Sequence, residues 1–112
     1  MDNFILVIIF VIAGFMEVIL GMPLLLEKIK PNWFYGFRTP KTMSNKEIWY
    51  KSNKYLGRDF IIIGIILIVG SLFLLTPVNG FSIEEIAYIE LFLTLIPIII
   101  VLIRGFAYLK KL

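Results

Sequence analysis

PNWFYGFRTPKTMSNKEIWYKSNKYLG, residues Pro31–Gly57, is a polar and aromatic segment that separates two long apolar stretches. Its composition differs from that of a flexible linker, which is typically rich in Gly and Ser. It is dense in Arg, Asn, Thr and Trp, whose hydrogen-bonding groups need partners once they are buried. The segment therefore predicts a folded element, or a binding site, at one end of an apolar bundle.

The remainder of the chain is apolar enough to lie in a membrane. Of its 112 residues, 60% are hydrophobic, mostly in three runs. At about 1.5 Å per residue, roughly 20 helical residues cross a hydrocarbon layer of about 30 Å. We therefore predict an all-α integral membrane protein that forms one domain, residues 1–112. Its transmembrane helices are expected at 4–26, 59–75 and 84–109.

The placement of charge predicts the orientation of these helices. All Lys and Arg residues lie either in the loop 27–58 or after Ile103. Because cytoplasmic loops are enriched in Lys and Arg, we expect this loop and the C-terminus to be cytoplasmic and the N-terminus to be outside. The net charge of +3 then reflects topology, and no direct nucleic-acid partner is expected. The first run lacks the features of a cleaved signal peptide.

Several classes of chemistry find no support in the sequence. The chain contains no Cys and no His, so disulfides and thiol chemistry are excluded and a zinc site is not expected. The sequence also lacks a nucleophile–base pair, a metal-ligand cluster and a Gly-rich phosphate loop. We therefore expect a protein that is not an enzyme and that uses neither a metal nor a cofactor.

The polar segment is predicted to contain a helix of its own, residues 45–56. Ser44 and Glu47 fit a capping box, and Gly57 is suited to end the helix. One face is mostly apolar and the lysines lie mainly on the others, which is typical of an amphipathic helix at the cytoplasmic membrane interface. The apolar face is formed by Ile48, Trp49, Ser52, Tyr55 and Leu56. An aromatic belt is expected beside it, formed by Trp33, Phe34, Tyr35 and Phe37.

Two acidic residues interrupt the apolar runs. Glu17 has small residues such as Gly21 on its side of the first helix, so we expect it to face protein rather than lipid. An intramembrane acid is a functional candidate: Glu17 is a structural acid, a proton or cation site, or the partner of Arg38 or Arg58. Glu90 lies near the start of the third helix and is expected at the membrane interface.

The polar side chains of the loop allow two interpretations. The planar guanidinium of Arg38, beside the hydroxyl of Thr39, suits a phosphate or a carboxylate. Alternatively, the polar residues form a network that satisfies its own hydrogen bonds and closes the loop. The sequence leaves both interpretations open. It does predict that the loop folds back onto the bundle and that Glu17 and the loop residues are buried against each other.

The loop also resembles the signature of a known family. The matching positions are Pro31-Asn32, Gly36-x-Arg38-Thr39-Pro40-x-Thr42, Asn45, Trp49, Asn53 and Gly57. Their order and spacing are similar to those of the SdpI family, bacterial membrane proteins named for immunity to a secreted killing peptide, and the chain resembles the C-terminal three-helix unit of that family. The motif positions that the resemblance implies are Asn32, Gly36, Arg38, Thr39, Thr42, Trp49 and Asn53.

The resemblance implies a multi-pass protein of the bacterial cytoplasmic membrane that protects against a membrane-active peptide toxin. In the family, the immunity protein also recruits a repressor to the membrane, so a cytoplasmic regulator is a further partner to expect. Two alternatives remain: a small proton-coupled transporter that uses Glu17, and a protein that binds anionic membrane lipids through Arg38 and the lysines. A homo-oligomer is also left open, because three helices enclose little space.

Overall fold

The computed structural model describes residues 2–112, and within them the chain forms helices and their connections. The helices are α1 (Asp2–Leu25), α2 (Pro40–Ser44), α3 (Lys46–Leu74) and α4 (Ile83–Leu109), with a 3-10 turn (Pro77–Asn79) between the last two. In this part of the chain, α1, α3 and α4 are each long and apolar enough to cross a membrane. The prediction of an all-α membrane protein with three transmembrane helices is confirmed.

Backbone hydrogen bonds at the end of α1 turn the chain into the loop. Pro23 lies inside the last turn of α1. The N–H of Lys28 donates to the carbonyl of Pro23 at 3.0 Å, and the N–H of Glu27 donates to that of Leu24 at 3.2 Å. This is a Schellman arrangement, and Glu27 takes its left-handed position with φ of 56°. The polar segment therefore begins at a defined point at this end of the bundle.

The start of α4 is fixed by a capping box. The hydroxyl of Ser82 accepts from the N–H of Glu85 at 3.2 Å, and the carboxylate of Glu85 accepts from the N–H of Ser82 at 3.0 Å. The two backbone N–H groups would otherwise be unpaired donors at a helix N-terminus. Ser82 is therefore the N-cap of α4.

Helices α1 and α3 are antiparallel and approach each other closely enough for backbone contact. A Cβ atom added at Gly57 would lie 2.6 Å from the carbonyl oxygen of Gly21, and one added at Gly64 would lie 2.7 Å from that of Gly14. Side chains larger than hydrogen would hold the helices apart at both crossings. The small residues near Glu17 therefore serve the contact between α1 and α3.

The first turns of α3 and its transmembrane part form one continuous helix. The prediction of two helices, 45–56 and 59–75, separated by a stop at Gly57 is wrong at this point. Gly57 does not have the positive φ of a helix-ending glycine, and its place is explained by the contact with Gly21. The 29 residues of α3 extend about 44 Å, so its N-terminal turns project beyond a hydrocarbon layer of about 30 Å.

The N-cap and the packing of these first turns also differ from expectation. Asn45, rather than Ser44, caps α3, because its side-chain oxygen accepts from the N–H of Glu47 at 2.7 Å. Trp49 is fully buried and Leu56 is nearly so. The apolar face of these turns therefore packs against the loop and α4 instead of facing lipid headgroups. Their depth relative to the membrane surface stays a prediction.

Two apolar clusters lie towards opposite ends of the bundle. At the loop end, the cluster joins α3, α4 and the loop and consists of Phe37, Leu56, Ile63, Val101 and Leu109. At the other end, a cluster joins all three long helices and consists of Val7, Val11, Leu74 and Ile86. Helices α1 and α4 thus both contribute to the second cluster, whereas the buried residues of the loop-end cluster come from the loop, α3 and α4.

The α1–α3 contact can be tested by adding one methyl group. Gly57→Ala places a Cβ atom against the backbone of α1, so we expect it to lower the free energy of unfolding by about 1–3 kcal/mol. Gly105→Ala is the matched control, because its Cβ atom would lie 3.4 Å from the ring of Phe37, an ordinary contact. Unfolding in detergent, followed by circular dichroism, measures both. Equal stability of the two variants would contradict this account.

Candidate functional site

Asn53 is the centre of the polar network in the loop. Its side-chain oxygen accepts a hydrogen bond from the backbone N–H of Phe37. Its amide nitrogen donates to the carbonyl of Trp49 at 3.0 Å and to that of Phe37 at 3.4 Å. Because Asn53 is only 2% exposed, these bonds satisfy a buried amide and a buried stretch of backbone at once. One side chain of α3 therefore holds the middle of the loop.

Gly36 and Trp49 shape the backbone around this amide. Gly36 has φ of +116°, a conformation that other residues rarely adopt, and a Cβ atom there would lie 2.8 Å from the side-chain oxygen of Asn53. The indole N–H of Trp49 donates to the carbonyl of Ile29 at 2.8 Å. The fully buried indole thus attaches the beginning of the loop to α3. Because Gly36 has no side chain, the loop backbone can pack closely against the indole and the Asn53 amide.

Thr39 and Thr42 cap the short helix α2 reciprocally. The hydroxyl of Thr39 accepts from the N–H of Thr42 at 3.1 Å, and the hydroxyl of Thr42 accepts from the N–H of Thr39 at 2.8 Å. The Thr42 hydroxyl also donates to the carbonyl of Phe37 at 2.8 Å. Thr42 is fully buried, so this pair continues the network that begins at Asn53.

Asn32 and Tyr35 attach the first part of the loop to α1. The side-chain oxygen of Asn32 accepts from the N–H groups of Phe34 and Tyr35 at 2.8 and 2.7 Å. This turn directs the hydroxyl of Tyr35 to donate to the carbonyl of Leu20 in α1. Burial raises the pKa of Tyr35 above its ordinary value, so the hydroxyl keeps the proton that it donates.

The second part of the loop is attached to α4. The ring of Phe37 packs edge-on against Phe106, with centroids 5.0 Å apart. The Lys41 ammonium group donates to the carbonyl of Leu109 at 2.9 Å, a favourable place for a cation because it is a helix C-terminus. Phe37 is therefore a core residue and not part of an exposed aromatic belt, whereas Trp33 and Phe34 are strongly exposed.

Arg38 differs from the other motif residues. Asn32, Gly36, Thr39, Thr42, Trp49 and Asn53 contribute to the network that closes the loop. The side chain of Arg38 is exposed and makes no ion pair or hydrogen bond with any residue in 2–112. Six of the motif residues therefore form the hydrogen-bonded framework that the second interpretation predicts. The guanidinium of Arg38 is available to bind a phosphate or carboxylate from outside the protein, as in the first interpretation.

A protein-family model matches residues 28–108, well over half of the chain, under the description SdpI/YfhL protein family. The chain belongs to the SdpI/YfhL protein family. No curated protein and no solved structure matches it. The matched region includes the whole of the loop network, together with α3 and most of α4.

Glu17 lies apart from this SdpI/YfhL loop. The contacts Gly14–Gly64 and Gly21–Gly57 set the register of α1 against α3. In that register Asn53 is about eight residues, or roughly 12 Å, further along the bundle than Glu17. Neither expected arginine partner reaches it, since Arg38 is unpaired and the nearest carboxylate to Arg58 is that of Asp59, 3.5 Å away. The expected burial of Glu17 against the motif residues is therefore not found.

The structure contains an ion pair between α3 and α4 that the sequence does not predict. Asp59 is 4% exposed, and its carboxylate accepts from Nε of Arg104 at 2.8 Å. Beside this pair, the rings of Tyr55 and Tyr108 stack with centroids 4.2 Å apart. The guanidinium of Arg104 lies 5.4 Å from the centre of the Tyr55 ring. The sequence feature that could have indicated this pair is the position of Asp59, an acidic residue at the very start of an apolar run.

Glu90 is completely buried within the bundle, where Ser71 of α3 lies opposite it and its hydroxyl donates to the Glu90 carboxylate at 2.8 Å. The depth of Glu90 relative to the membrane interface stays a prediction. The second carboxylate oxygen has no hydrogen-bond partner among the described residues. Glu90 therefore links α3 and α4 far from the loop.

The role of Asn53 can be tested by truncation. Asn53→Ala removes the acceptor of the Phe37 N–H and leaves that buried N–H unpaired, so we expect stability to fall by about 1–3 kcal/mol. We also expect trypsin to cleave faster after Arg38 and Lys41. Lys54→Ala, which changes an exposed neighbour on α3, is the control. Unchanged cleavage in Asn53→Ala would show that the amide does not hold the loop.

The ion pair between α3 and α4 can be tested by comparing two arginines. Arg104→Leu leaves the buried Asp59 carboxylate without its closest partner, whereas Arg58→Leu removes a more distant one. We expect Arg104→Leu to lower the midpoint of thermal unfolding more, because an unpaired buried charge is unfavourable. In Asp59→Leu, the further effect of Arg104→Leu should become small. Equal effects of the two arginine changes would contradict the geometry.

Proposed function

We propose that this protein is an SdpI-type immunity protein of a bacterial cytoplasmic membrane, which protects the cell against a secreted, membrane-active antimicrobial peptide. The observation that carries the proposal is the family match over residues 28–108. The geometry supports it because the motif residues form a folded unit, rather than a set of isolated polar side chains in a mobile loop.

The surfaces of the bundle suit an apolar peptide partner. Much of the outer surface of α1, α3 and α4 consists of exposed large apolar side chains, which a membrane-inserted peptide can contact. The end that the distribution of charge assigns to the outside has a groove of about 360 Å³. Phe4 and Phe81 are among the residues that line it, beside the polar side chains of Asn3 and Asn79. A peptide arriving from outside would meet this end first.

The loop end suits a signalling role as part of the same proposal. The framework built around Asn53 presents a constant surface to the cytoplasm in the predicted orientation. Exposed basic side chains lie on that surface, among them Lys46 and Lys54. A cytoplasmic regulator with an acidic surface would complement them. The proposed sequence of events is peptide contact in the membrane or outside, followed by recognition of the loop end within the cell.

The alternative of a proton-coupled transporter receives no support from the surroundings of Glu17. This residue lies between the two closest contacts of α1 with α3, and its Cβ atom is 3.1 Å from the position of a Cβ atom on Gly64. Tight backbone packing of this kind leaves little room for a substrate. We therefore regard Glu17 as part of the α1–α3 contact.

Survival of a toxin-sensitive bacterium tests the proposed function. Cells that express the wild-type chain are expected to survive an Sdp-type killing peptide at concentrations that kill cells with an unrelated three-helix membrane protein at equal abundance. Asn53→Ala, which opens the loop, should reduce protection, whereas Glu47→Ala, which changes an exposed acidic side chain on the same helix, should retain it. Absence of protection by the wild-type chain against Sdp-type peptides would contradict the proposal.

A further inference from the structure

We propose that a groove beneath the loop binds one anionic phospholipid of the cytoplasmic leaflet, with the lipid phosphate on Arg38 and an acyl chain between α1 and α4. This inference stands apart from the proposed immunity function. It concerns the one motif side chain that the loop network does not use.

The groove has the lining that an acyl chain requires. Its volume is about 370 Å³, which is within the range of about 300–1,000 Å³ for small-molecule sites. Leu24 and Leu56 form a buried floor, at 3% and 7% exposure. Leu20 of α1 and Leu102 of α4 form the sides and remain 42% and 44% exposed. Because these exposed leucines belong to transmembrane helices, the groove opens towards the hydrocarbon of the bilayer.

The loop forms one side of this groove by joining α1 to α4. Near the opposite end of the bundle, α1 and α4 meet through the apolar cluster that contains Val7 and Ile86. At the loop end, the Tyr35 hydroxyl bonds to α1 and the Phe37 ring packs on α4. The segment 34–38 therefore crosses the gap, with apolar side chains beneath it and Arg38 at its edge.

The charge at the edge of the groove suits a phosphate. Arg38 has no protein partner in the described chain, and its planar guanidinium can bind two phosphate oxygens at once. Between Lys28 and Lys41 the sequence contains four basic residues and no acidic residue. Of these, Lys41 is engaged with the end of α4. No acidic side chain lines the groove, so an anionic headgroup meets no repulsion there.

The depth of the loop favours a lipid over a soluble phosphate. Trp33 and Phe34 are 72% and 90% exposed, and aromatic side chains of this kind concentrate at the membrane–water interface. Because Arg38 follows them in the same loop, we expect it at the level of lipid headgroups. A phospholipid satisfies the guanidinium and fills the apolar groove together, whereas inorganic phosphate satisfies only the guanidinium.

Native mass spectrometry of the purified chain tests the site. The protein is released from detergent after incubation with phosphatidylglycerol, and bound lipid is counted for the wild type, Arg38→Ala, Leu102→Trp and the control Lys46→Ala. A charge-assisted hydrogen bond of this type corresponds to at least about a tenfold change in affinity. We expect a loss of that size in Arg38→Ala, a loss in Leu102→Trp because the indole fills the groove, and wild-type binding in Lys46→Ala.

The same experiment includes outcomes that would overturn the proposal. Equal binding by the wild type and Arg38→Ala would remove the phosphate site. Equal losses in Arg38→Ala and Lys46→Ala would show general attraction between basic residues and anionic lipid. Full binding by Leu102→Trp would remove the acyl-chain site, and displacement of the lipid by millimolar inorganic phosphate would assign the site to a soluble anion. None of these results depends on whether the protein confers immunity.

Discussion

The hydrogen bonds of Asn53 are the interaction on which the loop end of this protein depends. A backbone that crosses the end of a transmembrane bundle carries polar groups that must be paired. The amide of Asn53 pairs with both the N–H and the carbonyl of Phe37. With the backbone held there, the Tyr35 side chain reaches α1, the Phe37 ring reaches α4, and Arg38 is left facing outward.

Asn53 can act in this way because α3 is continuous. A helix that ended at Gly57 would leave Asn53 on a separate segment, free to move relative to the bundle. Instead, Gly57 lies against Gly21 within a single long helix. The contact between α1 and α3 therefore determines both the packing of the membrane helices and the position of the loop network. Stability and the proposed binding groove are coupled through this one helix.

The sequence predicts some of these features well and misses others for physical reasons. Hydropathy and length predict three transmembrane helices, because these are local properties of the chain. The sequence predicts a helix end at Gly57, because a glycine that ends a helix and one that permits close packing look alike in sequence. The pair of Asp59 with Arg104 could not be predicted, because it joins residues 45 positions apart and depends on the rotation of α4.

Hydrogen–deuterium exchange of the wild-type chain in lipid nanodiscs tests the central claim most directly. If Asn53 and Thr42 close the loop, the amides of Phe37, Thr42 and Met43 should exchange slowly, since exchange requires their hydrogen bonds to open. The preceding amide of Trp33, which makes no hydrogen bond within the described residues, should exchange faster. Rapid exchange throughout residues 33–45, at the rate of an unstructured segment, would show that the loop is not a folded framework.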